Sequence, residues 1–187
     1  MESIERRNFA GLELRADESQ PIQIVGYPAV FGAWSEDLGG FREIIRPGAF
    51  ARTLAAGADV RFLVNHDGAP LARTRSGTMS LTEDDRGLRM VAMLSPTDPE
   101  AVSLAEKIRR GDIDQMSFAF RAIRDSWDYK TSTRELLDVE LIDVSAVTYP
   151  AYPDASIGLR GLRAHQVLSH QNFERRRMQL QLLSLVR

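Results

Sequence analysis

The sequence predicts a mixed, mainly β fold. Three observations carry that expectation. Most apolar segments in the first 95 residues are short and either alternate with polar residues or are β-branched; turn-forming residues recur between them; and only two stretches before residue 158 have helical character. A chain of 187 residues, 43% of them hydrophobic, is sized for one compact domain with a real core.

The elements follow in order. Phe9 to Arg15 alternates apolar with polar, and Ile22 to Phe31 is a longer apolar run in which Pro28 signals an edge or a bulge. After Gly39-Gly40 comes the strand candidate Phe41 to Ile45, and after Pro47-Gly48 the Ala-rich segment Ala49 to Gly57 suits a short helix. Val60 to Asn65 is β-branched and apolar and ends at His66-Asp67-Gly68, a turn-type sequence that places His66 at a strand end. Leu71 to Arg75, Thr78 to Glu83 and Gly87 to Leu94 continue the sheet, the last two joined through Asp84-Asp85-Arg86-Gly87. Thr97 or Asp98 caps a helix whose apolar face is Val102, Leu104, Ala105 and Ile108 and which stops at Gly111. Strands are then expected over Asp114 to Ile123 and Glu135 to Thr148, separated by the polar stretch Asp125 to Thr133, with Pro150 and Pro153 closing the sheet region. From Leu162 to Val186 the apolar spacing predicts a helical tail.

Charge divides the chain at the same place. Residues 159–187 hold six arginines against the single acid Glu174, a net +5, so that residues 1–158 carry −7 of the total −2. The expected division is a domain over 1–158 and a basic helical extension over 159–187. An acidic body argues against a dedicated nucleic-acid binder, while the tail is suited to an acidic partner or to its own body. The charged opening Met1 to Arg7 is followed by no apolar run, and no window reaches about 18 apolar residues, so a soluble, unexported protein without a membrane span is expected.

The absence of cysteine excludes thiol catalysis and cysteine-ligated zinc. His165 and His170 lie in the basic tail, which leaves His66 as the body's one histidine. A single histidine among scattered carboxylates gives no specific sign of a metal, and no cofactor motif is present, so neither metal nor cofactor is expected. Taken alone, His66 reads first as a satisfied structural residue, with Asp67 capping the turn or orienting the ring. Period-two geometry sets Met116, Phe118 and Phe120 on one face and Ser117, Ala119 and Arg121 on the other. The same count groups Leu141, Asp143, Ser145 and Val147, opposite Ile142, Val144, Ala146 and Thr148. Ser117 and Asp143 have bland readings too, as a locally bonded strand serine and a paired strand acid. Phe118 and Phe120 read as core in preference to stacking platforms for nucleic acid.

Five segments in order resemble the prohead protease family of tailed bacteriophages. They are Gly26 to Phe31, Phe41 to Phe50, Val64-Asn65-His66-Asp67, Met116-Ser117-Phe118-Ala119-Phe120, and Leu141 to Pro153 with its Asp143-Val144-Ser145 and Tyr149-Pro150-Ala151-Tyr152-Pro153. The similarity covers roughly residues 8 to 158. That family is related to the herpesvirus capsid-maturation protease, so the resemblance implies a β-barrel core flanked by helices. It further implies a serine endopeptidase that cuts scaffold, or the scaffolding segment of the major capsid protein, and itself, inside an assembling procapsid in the host bacterial cytoplasm. The implied partners are the major capsid and scaffold proteins, without a membrane or specific nucleic acid, and family analogy allows a homodimer. Residue by residue, Ser117 falls on the nucleophile position, His66 on the base position and Asp143 on the third position, where the family tends to have an acid and the herpesvirus enzymes a second histidine. Glu140 is the reserve for the third role, on the opposite face by strict alternation. The alternative is an inactive assembly or scaffolding protein with the same fold, such as a decayed prophage copy.

Overall fold

A computed structural model describes residues 5–10, 12–15 and 21–148. The elements are β1 (Glu5–Ala10), β2 (Leu12–Arg15), β3 (Ile22–Val30), β4 (Arg42–Ile45), α1 (Ala51–Ala55), β5 (Arg61–Val64), β6 (Asp67–Arg73), β7 (Met79–Glu83), β8 (Gly87–Leu94), α2 (Pro99–Arg109), β9 (Gln115–Asp128) and β10 (Thr133–Val147). The mainly β expectation holds. The single barrel does not: the strands form a six-stranded sheet, β1-β9-β10-β5-β6 with β4 also on β10, and a four-stranded sheet, β2-β3-β8-β7. β1 and β6 end one sheet and β2 and β7 the other, so among the described residues no hydrogen-bonded ring closes. The segment read as one strand over Phe9–Arg15 is divided between β1 and β2, which lie in different sheets. The tail expected over 159–187 lies outside the described residues.

The sheets share one apolar core, as two layers must when each has a hydrophobic face. Ile22, Ile24, Leu88, Met90 and Leu94 from the smaller sheet meet Met116, Phe118, Phe120, Val139 and Val144 from the larger one. Phe50 sets its ring edge against Phe118 at 5.5 Å between centroids, and Phe118 stacks on Phe120 at 4.9 Å, an arrangement aromatic quadrupoles favour. Pro28 sits in an interior strand, which is tolerated because the β3–β8 register shifts between Gly26 and Ala29, so the missing donor falls in an irregularity.

β10 organises the larger sheet. One of its edges takes β9 antiparallel; the other takes β4 at Thr133–Leu136 and β5 at Asp143–Ala146, both parallel. The gap between β4 and β5 is filled by the segment entering and forming α1. Arg46 N–H donates to Leu136 O (3.0 Å), Val139 N–H to Ala49 O (2.9 Å), Thr53 Oγ1 to Val139 O (2.7 Å), and Leu141 N–H to Thr53 Oγ1 (3.3 Å). Buried backbone groups need such partners, which explains a helix turn in mid-sheet.

The polar stretch over 125–133, expected to separate two strands, is instead the far end of a long β9–β10 hairpin, because its charges pair across the ribbon. Arg134 Nε donates to Asp125 (2.7 Å), its guanidinium lies over Trp127, and Trp127 packs on Phe41 at 4.9 Å. α2 starts with Asp98, whose carboxylate accepts from Glu100 N–H at 2.9 Å, and Pro99 takes the first turn. Its buried face is Ala101, Leu104 and Ala105, while Val102 is exposed, one step round from the expected stripe. Among the described residues, no helix is long and apolar enough to cross a membrane.

Candidate active site

His66 is delivered by a turn that its sequence makes unusual. Val64 pairs with Asp67 across Asn65 and His66, both at positive φ (51° and 60°), so β5 and β6 join through a two-residue hairpin. Such turns need left-handed backbone at both central residues; Asn suits the first, and the second normally holds Gly. The sequence-expected turn at His66-Asp67-Gly68 therefore lies one residue late, and β6 begins at Asp67. Holding a histidine there costs about 1 kcal/mol and needs surrounding support. The support comes from β10 and its end: Asn65 N–H donates to Ala146 O (2.9 Å), Asn65 Oδ1 accepts from Thr148 N–H (3.1 Å) and Oγ1 (3.2 Å), and His66 N–H donates to Ser145 Oγ (3.2 Å).

Ser117 and Ser145 are direct partners across β9 and β10, and Asp143 is opposite Ala119. The register slips between Leu141 and Asp143, leaving Ile142 as the extra residue of a β-bulge. The slip changes which residues share a face. Val139, Leu141, Val144 and Ala146 all belong to the core, so Leu141 is not on the side of Asp143, contrary to strict alternation. The same slip returns Glu140 to the side of Asp143. Glu140 is nevertheless engaged elsewhere, with Oε2 accepting from Arg121 Nη1 at 3.2 Å in an exposed pair.

The three residues separated by 51 and 26 positions meet in one hydrogen-bonded line. His66 Nε2 lies 2.7 Å from Ser117 Oγ, and His66 Nδ1 lies 2.6 Å from Asp143 Oδ1. With Nδ1–H donating to Asp143 Oδ1, Nε2 carries a lone pair toward the serine hydroxyl, the tautomer needed to accept its proton. Ser117 has no exposed surface, Asp143 is buried, and the His66 side chain is 9% exposed. Charge developing here is poorly screened by water, so oriented partners act strongly. Sequence reasoning had placed Ser145 beside Asp143 without a role. Ser145 Oγ in fact donates to Asp143 Oδ1 at 3.1 Å and lies 3.2 Å from His66 Nδ1. Among the described residues, no group of three or more His, Asp or Glu gathers to hold a metal.

The family model described as Caudovirus prohead serine protease matches residues 10–170 of this chain. The chain belongs to that family. A curated relative, the prohead protease of Enterobacteria phage HK97, is 29% identical over 134 residues, spanning 71% of this chain and 57% of the relative. The chain thus spans little more than half the length of that curated relative. A solved structure, that of the bacteriophage T4 capsid assembly protease, aligns with 76% of this chain and 98% of its own at 12% identity and a TM-score of 0.45.

Proposed function

We propose that this chain is a serine endopeptidase of procapsid maturation, with Ser117 as nucleophile, His66 as general base and Asp143 as the group orienting the imidazole. The observation that carries this reading is the 2.7 Å approach of His66 Nε2 to Ser117 Oγ with the far ring nitrogen on a carboxylate. Membership of the prohead serine protease family supports the substrate class: scaffold protein, the scaffolding segment of the major capsid protein, and the chain itself.

The chemistry runs as follows. Ser117 Oγ attacks a peptide carbonyl as its proton passes to Nε2, and Asp143 stabilises the imidazolium through Nδ1–H. The tetrahedral oxyanion needs backbone or side-chain donors, each contributing about 3 kcal/mol to the transition state. Nε2–H then protonates the departing amine, leaving an acyl ester on Ser117. Water hydrolyses that ester with His66 again as base. Because Ser117 is fully covered, a substrate carbonyl reaches it only after this face opens.

The basic segment 159–187 is proposed as the part that directs the enzyme into the assembling shell, since its charge opposes that of the remainder. Deleting it should reduce incorporation into procapsids, and unchanged incorporation removes the targeting role. The activity itself is tested with purified protein and its Ser117→Ala variant, each incubated with the cognate scaffold and capsid precursors. Expected is cleavage by the first and none by the second. Cleavage surviving Ser117→Ala would strip the serine of its role, and no cleavage by either would favour an assembly protein without activity.

A further inference from the structure

We infer that Ser145 is a fourth working member of the site: a positioning residue that ties the backbone and the ring of His66 to one oxygen of Asp143. The inference rests on the assignment of His66, Ser117 and Asp143 above and deepens it.

Three contacts and one covalent path form a closed ring. His66 N–H donates to Ser145 Oγ (3.2 Å), Ser145 O–H donates to Asp143 Oδ1 (3.1 Å), that same oxygen lies 2.6 Å from His66 Nδ1, and Nδ1 joins back to the His66 backbone through its own side chain. A serine hydroxyl has one proton to donate and two lone pairs. Here the proton goes to the carboxylate, one lone pair takes the His66 amide, and the other faces Nδ1–H at 3.2 Å as a secondary acceptor. Every hydrogen-bonding capacity of the Ser145 hydroxyl is therefore spent on His66 and Asp143, the two residues proposed to activate Ser117.

Ser145 has no exposed surface, so water does not replace a lost hydroxyl without rearrangement. It sits opposite Ser117 in the β9–β10 register and opposite Leu63 in the β5–β10 register, within the stretch Asp143–Ala146 where β10 is paired on both sides. His66 in its left-handed backbone conformation has no regular ladder to hold it, and the bond from its amide to Ser145 ties its backbone to β10. Without the hydroxyl, the His66 amide is orphaned, Asp143 loses a second donor, and the imidazole gains freedom about the axis that aims Nε2 at Ser117. Misaiming a base by a fraction of an ångström lowers the rate without changing which groups are present.

The test uses a fluorophosphonate probe, which reports the reactivity of Ser117 without knowledge of the cleavage sequence, together with the proton NMR signal of His66 Nδ1–H. Expected for Ser145→Ala is a labelling rate reduced about tenfold, with the Nδ1–H signal shifted upfield or lost to exchange, and for Ser145→Thr a rate within about threefold of the original. In an Asp143→Asn background, Ser145→Ala should add less than about threefold, because the two act through the same ring. Rates are read well below each variant's melting temperature, and the threonine variant separates loss of the hydroxyl from general loosening of the fold. An unchanged labelling rate and an unchanged Nδ1–H signal in Ser145→Ala would overturn the inference, as would a full tenfold effect in the Asp143→Asn background. The parent assignment fails differently: Ser117→Ala would label as fast as the original protein, while the Nδ1–H signal would still report whether Ser145 holds the imidazole.

Discussion

The choice of Asp143 as the third member of the proposed triad rests on what each nearby carboxylate touches. Asp143 is buried and 2.6 Å from His66 Nδ1, while Glu140 is exposed and bound to Arg121. Exposed ion pairs contribute little, so Glu140→Gln should leave cleavage within about twofold of the original rate. Asp143→Asn should lower kcat about 10³-fold or more, because an amide at that place favours the wrong imidazole tautomer, and His66→Ala should lower it further. Cleavage assays on the three variants check the order; a normal rate in Asp143→Asn combined with loss in Glu140→Gln would exchange the two roles. His66, Ser117 and Asp143 were legible in the sequence as residues of the right type in a recognisable order. Ser145 was legible only as a neighbour, since its hydroxyl's value depends on a histidine brought from a distant turn as well as on Asp143 of its own strand.

At the scale of elements, periodicity served wherever strands are regular and failed where they are not. β8 was foreseen with its bounds, Gly87 to Leu94, and Pro28 was rightly read as a disturbance. The count along β10 went wrong at Ile142 because one inserted residue exchanges the faces before it, and nothing in Leu141-Ile142-Asp143 marks an insertion. The hairpin end at 125–133 was missed because charges that look solvated are satisfied by one another across the ribbon. Gly87 shows how tightly the regular parts are set. A Cβ there would stand 2.1 Å from Ala29 O and 2.9 Å from Val30 Cα, backbone atoms that no rotamer can move aside. Gly87→Ala should therefore destabilise the protein by about 3 kcal/mol through loss of the β3–β8 pairing at its bulged end. Urea unfolding measures this, and a loss below about 0.5 kcal/mol, typical of a neutral surface change, would mean the two strands separate there without penalty.

For the molecule as a whole, β1 is held against the strand of Ser117 by charge as well as by backbone bonds. Asn8 is the register partner of Ser117, and the strand's first residues carry a buried cluster. Arg7 Nη2 bonds Glu5 (2.9 Å) and Glu43 (3.0 Å), while Arg134 bonds Glu5 (3.0 Å), Glu43 (3.1 Å) and Asp125 (2.7 Å), joining β1, β4, β9 and β10. Burial by itself would raise the Glu5 pKa, but the hydrogen bond and charge of Arg134, with the charge of Arg7, outweigh it and hold the carboxyl below its ordinary value of 4.5. A group whose folded pKa is depressed contributes stability above its unfolded value and loses it as pH falls through the folded one. The cluster should thus hold at neutral pH and fail on acidification below 4.5. Breaking one arm of a buried pair costs about 3 kcal/mol, so Glu5→Gln should be less stable than the original by about that much at pH 7. The gap should narrow steadily in more acidic buffer, where the original carboxyl is neutral too. Urea unfolding of both proteins at neutral and acidic pH decides it: a gap that stays constant would show that Glu5 contributes by shape alone and that its ion pairs do not hold β1 beside Ser117.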